Sequence, residues 1–168
     1  MRNPTRATGA KREARARSLA RNCIPNGSIA FLDTNVLLYA ASGRPAGILK
    51  TDCARRLIKA VSVCVSFQVL QEFYANAVNP KKLNLTPSEA AERLATWIQF
   101  PVATLGADTF VTTLELAHKF RISRWDAAIL AAAAQMGCHT VYSEDLSHGQ
   151  DYDGVTVESP FRDIPQVC

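Results

Sequence analysis

The segment SIAFLDTNVLLYA, residues 28–40, decides which fold we expect for this chain. The mostly apolar residues 29–32 are typical of a short buried strand, and the carboxylate of Asp33 follows directly. A polar break leads into a short helical pattern over residues 35–39. We therefore expect one strand–helix unit of an α/β fold, with an acidic side chain where the strand ends.

The rest of the chain repeats this alternation. Further strand patterns occupy residues 61–65, 101–105, 138–142 and 155–157. Helical patterns separate them, and three residues of the kind favoured at helix N-caps precede those helices: Ser66, Thr86 and Ser123. This βα alternation predicts a three-layer α/β/α sandwich around a central, mostly parallel sheet of four to five strands. In the helix expected at 107–119, we place Phe110, Leu114 and Ala117 on one face.

Length and composition limit the class of protein. The 168 residues, 48% of them hydrophobic and 20% charged, suit one globular domain, which we place at residues 28–168. No apolar run approaches the roughly 18 residues that a bilayer-spanning helix needs, so we expect no membrane association and a cytoplasmic protein. The five cysteines are scattered and never spaced as CxxC, which argues against a disulfide framework and a zinc ribbon. We expect Cys64 and Cys138 to be small buried hydrophobic side chains.

The positive charge is concentrated at the N-terminus. Residues 1–27 contain seven basic residues and one acidic residue. Because the net charge of the whole chain is +4, the remaining residues carry a small net negative charge. We expect residues 1–27 to be a basic, flexible extension. Such an arm attracts nucleic acid over about 8 Å at physiological salt. A solvated segment without a role, or an overlong start of the sequence, is the alternative.

Four acidic residues adjoin polar breaks in this alternating pattern: Asp33, Glu72, Asp126 and Asp145. Parallel strands present their carboxyl ends at one edge of the sheet, where ligands bind in open α/β folds. Four carboxylates gathered there repel one another unless a cation neutralises them. Mg²⁺ and Mn²⁺ prefer oxygen ligands, and such ions activate water in phosphodiester cleavage. The sequence therefore predicts a divalent-metal site of a hydrolase.

Each acid also has a purely structural explanation. Asp33 and Asp126 are both of a residue type that caps helix N-termini. A helical Glu such as Glu72 commonly lies on a solvated face, although here its stripe leans toward the strand ends. Asp145 has an equally acidic neighbour in Glu144, and chemistry alone does not separate the two.

The chain resembles the PIN-domain nucleases, and most closely the VapC toxins of bacterial toxin–antitoxin pairs, in four stretches: DTNVLLYA at 33–40, SFQVLQEFYANAV at 66–78, SRWDAAILAAAAQMGCHTVYSEDLSHGQ at 123–150 and DGVTVESPF at 153–161. The resemblance covers residues 28–162. It implies that all four acids form a Mg²⁺ pocket, in which Mn²⁺ is a possible substitute. Asp33 and Asp126 are then the direct ligands, and Asp145 rather than Glu144 is the fourth acid.

The resemblance also implies roles around this pocket. Thr34 and Asn35 orient Asp33 or the attacking water through hydrogen bonds, and we place Ser143 with them. The substrate is RNA, cut by metal-activated water, and the protein is the toxin of a type II pair. It implies a cognate antitoxin protein and a homodimer as partners. Residues 1–27 depart from the pattern of the family.

Basic residues offer a path for the substrate. Because cations on phosphates supply sequence-independent affinity, an RNA path is predicted along four side chains: Lys81, Lys82, Arg121 and Arg124. Simple solvation is the alternative for each.

Two other functions compete with the ribonuclease hypothesis. One is a haloacid-dehalogenase-like phosphatase with Asp33 as its nucleophile, but those enzymes place a second Asp two residues later, where this chain has Asn35. The other is a non-catalytic RNA- or partner-binding module. The presence of all four acids disfavours a degenerate pocket.

Overall fold

The central sheet has five strands in the part of the chain that the structure describes. A computed structural model describes residues 29–43 and 47–164, so the expected N-terminal extension at 1–27 lies outside the described residues. The strands are β1 (Ala30–Leu32), β2 (Val63–Ser66), β3 (Val102–Ala103), β4 (Thr140–Tyr142) and β5 (Thr156–Glu158). All of them pair in parallel, in the order β3-β2-β1-β4-β5.

The strand order creates a reversal beside β1. The chain runs outward from β1 through β2 to β3, and then returns to the other side of β1 with β4. Phe31 at the centre lies opposite Cys64 on β2 and Val141 on β4. In doubly wound sheets the crevice at such a reversal, beyond the carboxyl ends of the strands, is where ligands bind. The fold therefore singles out the ends of β1 and β4.

Helices flank the sheet in the described part of the chain. They are α1 (Thr34–Ala41), α2 (Ile48–Ala60), α3 (Phe67–Val78), α4 (Pro87–Trp97), α5 (Ala107–Phe120) and α6 (Arg124–Gln135). The expected α/β/α sandwich is thus confirmed, and its sheet is entirely parallel. None of these helices is long and apolar enough to cross a membrane.

The predicted helix starts are confirmed. Ser66 Oγ accepts a hydrogen bond from the Val69 backbone N–H at 3.2 Å, and this cap fixes where α3 begins. Thr86 and Glu89 form a reciprocal capping box at the start of α4. Ser123 caps α6 in the same way as Ser66 caps α3. Local hydrogen bonding at these positions explains why the sequence pattern located them.

The core lies on both faces of the sheet. Phe31, Val65 and Val141 are fully buried strand residues, and the Ala-rich stretch 127–133 of α6 is buried along its length. Small side chains let α6 approach the strands closely. Cys64 and Cys138 are buried free thiols, as expected, with their Sγ atoms 3.1 Å apart.

The inward face of α5 is not its most hydrophobic one. Phe110 is 58% exposed and Leu114 43% exposed, so the face that they share is turned outward. Ala117 is half-buried. Thr109 and Thr113 are buried instead, and the Thr113 hydroxyl donates to the Thr109 carbonyl at 2.8 Å. Because the buried Thr113 hydroxyl is hydrogen-bonded, its burial carries little energetic penalty, and hydrophobicity alone does not identify this face.

Candidate active site

Asp33 stands at the reversal point of the sheet. It follows β1, its backbone N–H donates to the Tyr142 carbonyl at the end of β4 (3.0 Å), and its side chain is only 5% exposed. The carboxylate accepts hydrogen bonds from the Thr34 backbone N–H (2.6 Å), Asn35 Nδ2 (2.9 Å) and Ser143 Oγ (2.6 Å). It therefore caps α1, as one explanation held, and also contacts Ser143 in the loop after β4.

The environment of Asp33 disfavours its negative charge. Burial, the largest cause, raises the pKa of Asp33 from 3.8 to about 6. Hydrogen bonds from Ser143 and the Thr34 backbone lower this pKa, whereas the nearby charges of Asp145 and Glu72 raise it further. These three carboxylates thus interact electrostatically, and a cation placed among them relieves the repulsion.

Asn35 joins the ends of β1 and β4. Its Nδ2 group faces Asp33 Oδ2 at 2.9 Å, Ser143 Oγ at 3.3 Å and Asp145 Oδ2 at 3.1 Å. The Asp145 backbone N–H in turn donates to Ser143 Oγ at 3.1 Å, so Ser143 also caps the turn after β4. Asn35 Oδ1 is buried and has no hydrogen-bond partner within 29–43 and 47–164. An acceptor without a partner is therefore left beside the carboxylates.

Glu72 reaches the same cluster from α3. The Thr34 hydroxyl donates to Glu72 Oε2 at 2.9 Å, across 38 residues of sequence. Thr34 is buried, while Glu72 lies on the exposed side of α3 and directs its carboxylate to the pocket. The stripe of α3 that leans toward the strand ends was expected to carry this residue. Thr34 therefore connects α3 to the end of β1.

Asp126 has different surroundings. Its Oδ2 accepts a hydrogen bond from Ser123 Oγ at 2.8 Å, and its backbone N–H donates to Ser123 Oγ at 3.1 Å. These are the capping contacts of the structural explanation, and no hydrogen bond joins Asp126 to the other three acids in the described ranges. Among those residues, no three Asp, Glu, His or Cys side chains stand together as a ready-made metal site. Asp145 and Glu72 are thus linked to the end of β1 only through Asn35 and Thr34. Asp126 pairs with Ser123 instead.

The structure separates Glu144 from Asp145. Asp145 contacts Asn35, whereas Glu144 contacts Tyr39 and Lys50. Tyr39 and Lys50 were missed in the sequence, because neither residue type nor spacing marks a lysine 94 positions before its partner. Geometry therefore distinguishes two acids that chemistry alone did not.

The four basic side chains expected along an RNA path are exposed. Arg121, at the left-handed end of α5, and Arg124, the first residue of α6, lie on either side of the short connection 122–123, and Asp126 follows in the first turn of α6. Lys81 and Lys82 lie in the turn after α3. They are accessible to a phosphate backbone, as the prediction requires.

The donor set fits a divalent cation. Mg²⁺ usually keeps several waters and takes only one or two carboxylates, so a cluster of three touching acids is not required. Because Asp33 is buried, its ionisation at neutral pH is energetically unfavourable. The carboxylates of Asp145 and Glu72 and the unpaired Asn35 Oδ1 lie near it. Oxygen donors of this kind suit Mg²⁺ or Mn²⁺ better than softer metals.

Comparison with known proteins gives a family and a set of similar folds. The PIN domain family profile matches residues 30–149. VapC20 of Mycobacterium tuberculosis, described as a sarcin–ricin loop cleaving toxin, is 19% identical, with a TM-score of 0.56, over 74% of this chain and 92% of that one. A toxin–antitoxin complex from Klebsiella pneumoniae is 20% identical, with a TM-score of 0.59, over 78% and 97%.

VapBC2 from Rickettsia felis, bound to a fragment of its promoter DNA, is 18% identical, with a TM-score of 0.57, over 77% of this chain and 97% of that one. At such identities the likeness shows the fold. No curated protein has a significant sequence match to this chain.

Proposed function

Because this chain belongs to the PIN domain family, as its sequence motifs predicted, we propose that it is a Mg²⁺-dependent endoribonuclease and the toxin of a type II toxin–antitoxin pair. One observation carries the proposal. The buried carboxylate of Asp33 is linked through Asn35 to Asp145, and its neighbour Thr34 is linked to Glu72, at the reversal point of a parallel sheet. This is where an α/β fold binds its ligands.

Asp33 and Asp126 are the proposed direct ligands of the cation. When bound, a divalent cation lowers the pKa of a water molecule and neutralises charge on the leaving oxygen of the phosphodiester. Ser143 and the Thr34 backbone hold the Asp33 carboxylate in one orientation, and Ser123 does the same for Asp126. Preorganised ligands lose less conformational freedom on binding.

Glu72 or Asp145 positions or deprotonates the attacking water in this proposal. Glu72 Oε2 accepts from Thr34, and Asp145 Oδ2 accepts from Asn35. Each carboxylate keeps its second oxygen free of hydrogen bonds to the described residues. A carboxylate held by one oxygen and open at the other is suited to accept a proton from water.

The proposed partners rest on the structural relatives. VapC20 is described as a sarcin–ricin loop cleaving toxin, and the Klebsiella pneumoniae relative as a toxin–antitoxin complex. We propose an RNA substrate that passes along Arg121, Arg124, Lys81 and Lys82, a cognate antitoxin protein and a homodimer in the cytoplasm. The phosphatase alternative has no support in these comparisons.

The test is RNA cleavage by the purified full-length chain. We expect Asp33→Ala and Asp126→Ala to reduce the cleavage rate by at least about a hundredfold, and EDTA to stop cleavage by the unmodified chain. Asp108→Ala is the matched control, because Asp108 occupies the first turn of α5 as Asp126 occupies the first turn of α6. Cleavage that persists in both folded variants contradicts the proposal. RNA binding without any cleavage by the unmodified chain favours the binding-module alternative.

A further inference from the structure

The loop after β4 carries two adjacent acids with different partners. Glu144 Oε1 accepts a hydrogen bond from the Tyr39 hydroxyl at 2.7 Å, and Glu144 Oε2 pairs with Lys50 Nζ at 2.5 Å. Lys50 Nζ also donates to the Tyr39 hydroxyl oxygen at 3.0 Å. The three groups therefore form a closed hydrogen-bonded cycle, which we call the Glu144 clamp, between α1, α2 and the loop.

Aromatic rings enclose the ammonium group of this clamp. Lys50 Nζ lies 4.6 Å from the centre of the Tyr39 ring and 5.3 Å from that of Phe161. The two rings meet edge to face, with centroids 4.8 Å apart. Side-chain exposure is only 27% for Lys50 and 23% for Glu144. Partial burial and the ring contacts make this ion pair stronger than an ordinary surface pair.

The clamp grips the same loop that supplies Asp145. Tyr39 and Asn35 are four residues apart on α1, so both side chains project from one face of that helix. Asn35 contacts Asp145, and Tyr39 contacts the next residue back, Glu144. Helix α1 thus holds the loop at two successive residues, and Lys50 on α2 adds a third attachment.

The clamp also controls charge beside the pocket. Glu144 is adjacent in sequence to a carboxylate that already interacts unfavourably with Asp33. Pairing with Lys50 compensates the Glu144 charge and turns its side chain toward α2. Without that pairing, Glu144 is a second free carboxylate on the loop. It then competes with Asp145 for a cation, or repels the Asp145 carboxylate.

We propose that Glu144, Lys50 and Tyr39 are positioning residues that hold Asp145 toward the acidic pocket and keep Glu144 out of it. The inference rests on the proposed metal-dependent function and assigns residues that do not themselves touch the metal or the RNA. Supporting contacts of this kind typically change metal affinity or activity by about 10-fold to 100-fold when removed.

A second ion pair provides the control. Lys119 Nζ pairs with Asp153 at 2.5 Å and lies 5.2 Å from the Phe120 ring, so its chemistry matches that of Lys50. It is 59% exposed, Asp153 is 51% exposed, and neither has a hydrogen bond to a pocket residue. Lys119→Met therefore removes a more exposed ion pair with similar ring contact, away from the pocket.

The experiment measures Mn²⁺ binding by titration calorimetry on the full chain without RNA. We expect Lys50→Met and Tyr39→Phe to weaken Mn²⁺ binding by about tenfold, Lys119→Met to leave it unchanged, and Lys50→Arg to restore most of the affinity. Adding Glu144→Gln to Lys50→Met should recover part of the loss, because the uncompensated charge is then gone. In cleavage assays kcat should fall while KM for RNA changes little.

The outcomes separate the inference from the proposed function. Unchanged Mn²⁺ affinity and kcat in folded Lys50→Met and Tyr39→Phe overturn the clamp while the metal site stands. If Lys50→Met does not fold, the nearly isosteric Tyr39→Phe decides. Failure of the unmodified chain to bind Mn²⁺ overturns the proposed function, and the inference with it.

Discussion

Replacement of Asp33 by Asn should stabilise the metal-free protein at neutral pH while abolishing its activity. Burial raises the pKa of Asp33 to about 6 in the folded chain, compared with an ordinary value of 3.8. Its protonated form therefore contributes stability that is fully present below the ordinary pKa and is lost as the pH rises through the folded pKa. Above that pH the Asp33 carboxylate is ionised in a buried position, which lowers the free energy of unfolding.

The size of the effect follows from the two pKa values. A pKa difference of about 2 units between the folded and unfolded chain corresponds to about 3 kcal/mol. The free energy of unfolding is lower by this amount well above the folded pKa than well below the unfolded pKa. Asn has the same shape, and its Oδ1 can still accept from the Thr34 backbone. The NH2 group of the new side chain replaces the oxygen that accepted from Asn35 Nδ2, so two donors face each other. Loss of this hydrogen bond costs about 1 kcal/mol. We therefore expect a net gain of about 2 kcal/mol for Asp33→Asn near neutral pH.

Urea unfolding in EDTA at about pH 4.5 and about pH 7.5 measures this gain. The variant's advantage should grow by about 2 kcal/mol between these pH values, because only the unmodified chain loses stability over that range. Mg²⁺ at the higher pH should stabilise the unmodified chain and not the variant. Asp52→Asn, at an exposed position of α2, is the control. An advantage that is the same at both pH values refutes the reasoning.

Three further variants test the surroundings of the pocket and the fold. Ser143→Ala removes the hydrogen bond that lowers the pKa of Asp33, so the acid limb of the pH–rate profile should move to higher pH; an unmoved limb contradicts the assigned contact. Thr34→Val removes the donor to Glu72 and should slow single-turnover cleavage by about tenfold, with RNA affinity as the comparison. Thr86→Ala breaks the capping box and should cost about 1 kcal/mol in urea unfolding without changing the cleavage rate.

Local features of the fold were predictable from the sequence. Ser66, Thr86 and Ser123 cap helices through contacts within three residues, so their meaning is contained in short stretches of chain. The α/β alternation likewise predicted a parallel sheet. The face of α5 was not predictable in this way, because the buried Thr109 and Thr113 satisfy their hydroxyls through contacts that hydrophobicity does not register.

The contacts that assemble the pocket could not be predicted from sequence patterns. Asn35 and Asp145 are 110 residues apart, and only the strand order places them within hydrogen-bond distance. The resemblance to PIN-domain nucleases named the four acids together, and that assignment stays a prediction. The resemblance contained nothing about Lys50, whose proposed role depends on where α2 packs.

The central claim is that a divalent cation at the acidic edge enables RNA cleavage. Its most direct test is metal add-back: the full chain is stripped with EDTA, dialysed, and assayed on a labelled RNA as Mg²⁺ is restored, beside Asp33→Asn prepared identically. We predict that cleavage returns with Mg²⁺ in the unmodified chain alone. Cleavage by the stripped protein without added metal, or equal recovery in Asp33→Asn, would contradict the claim.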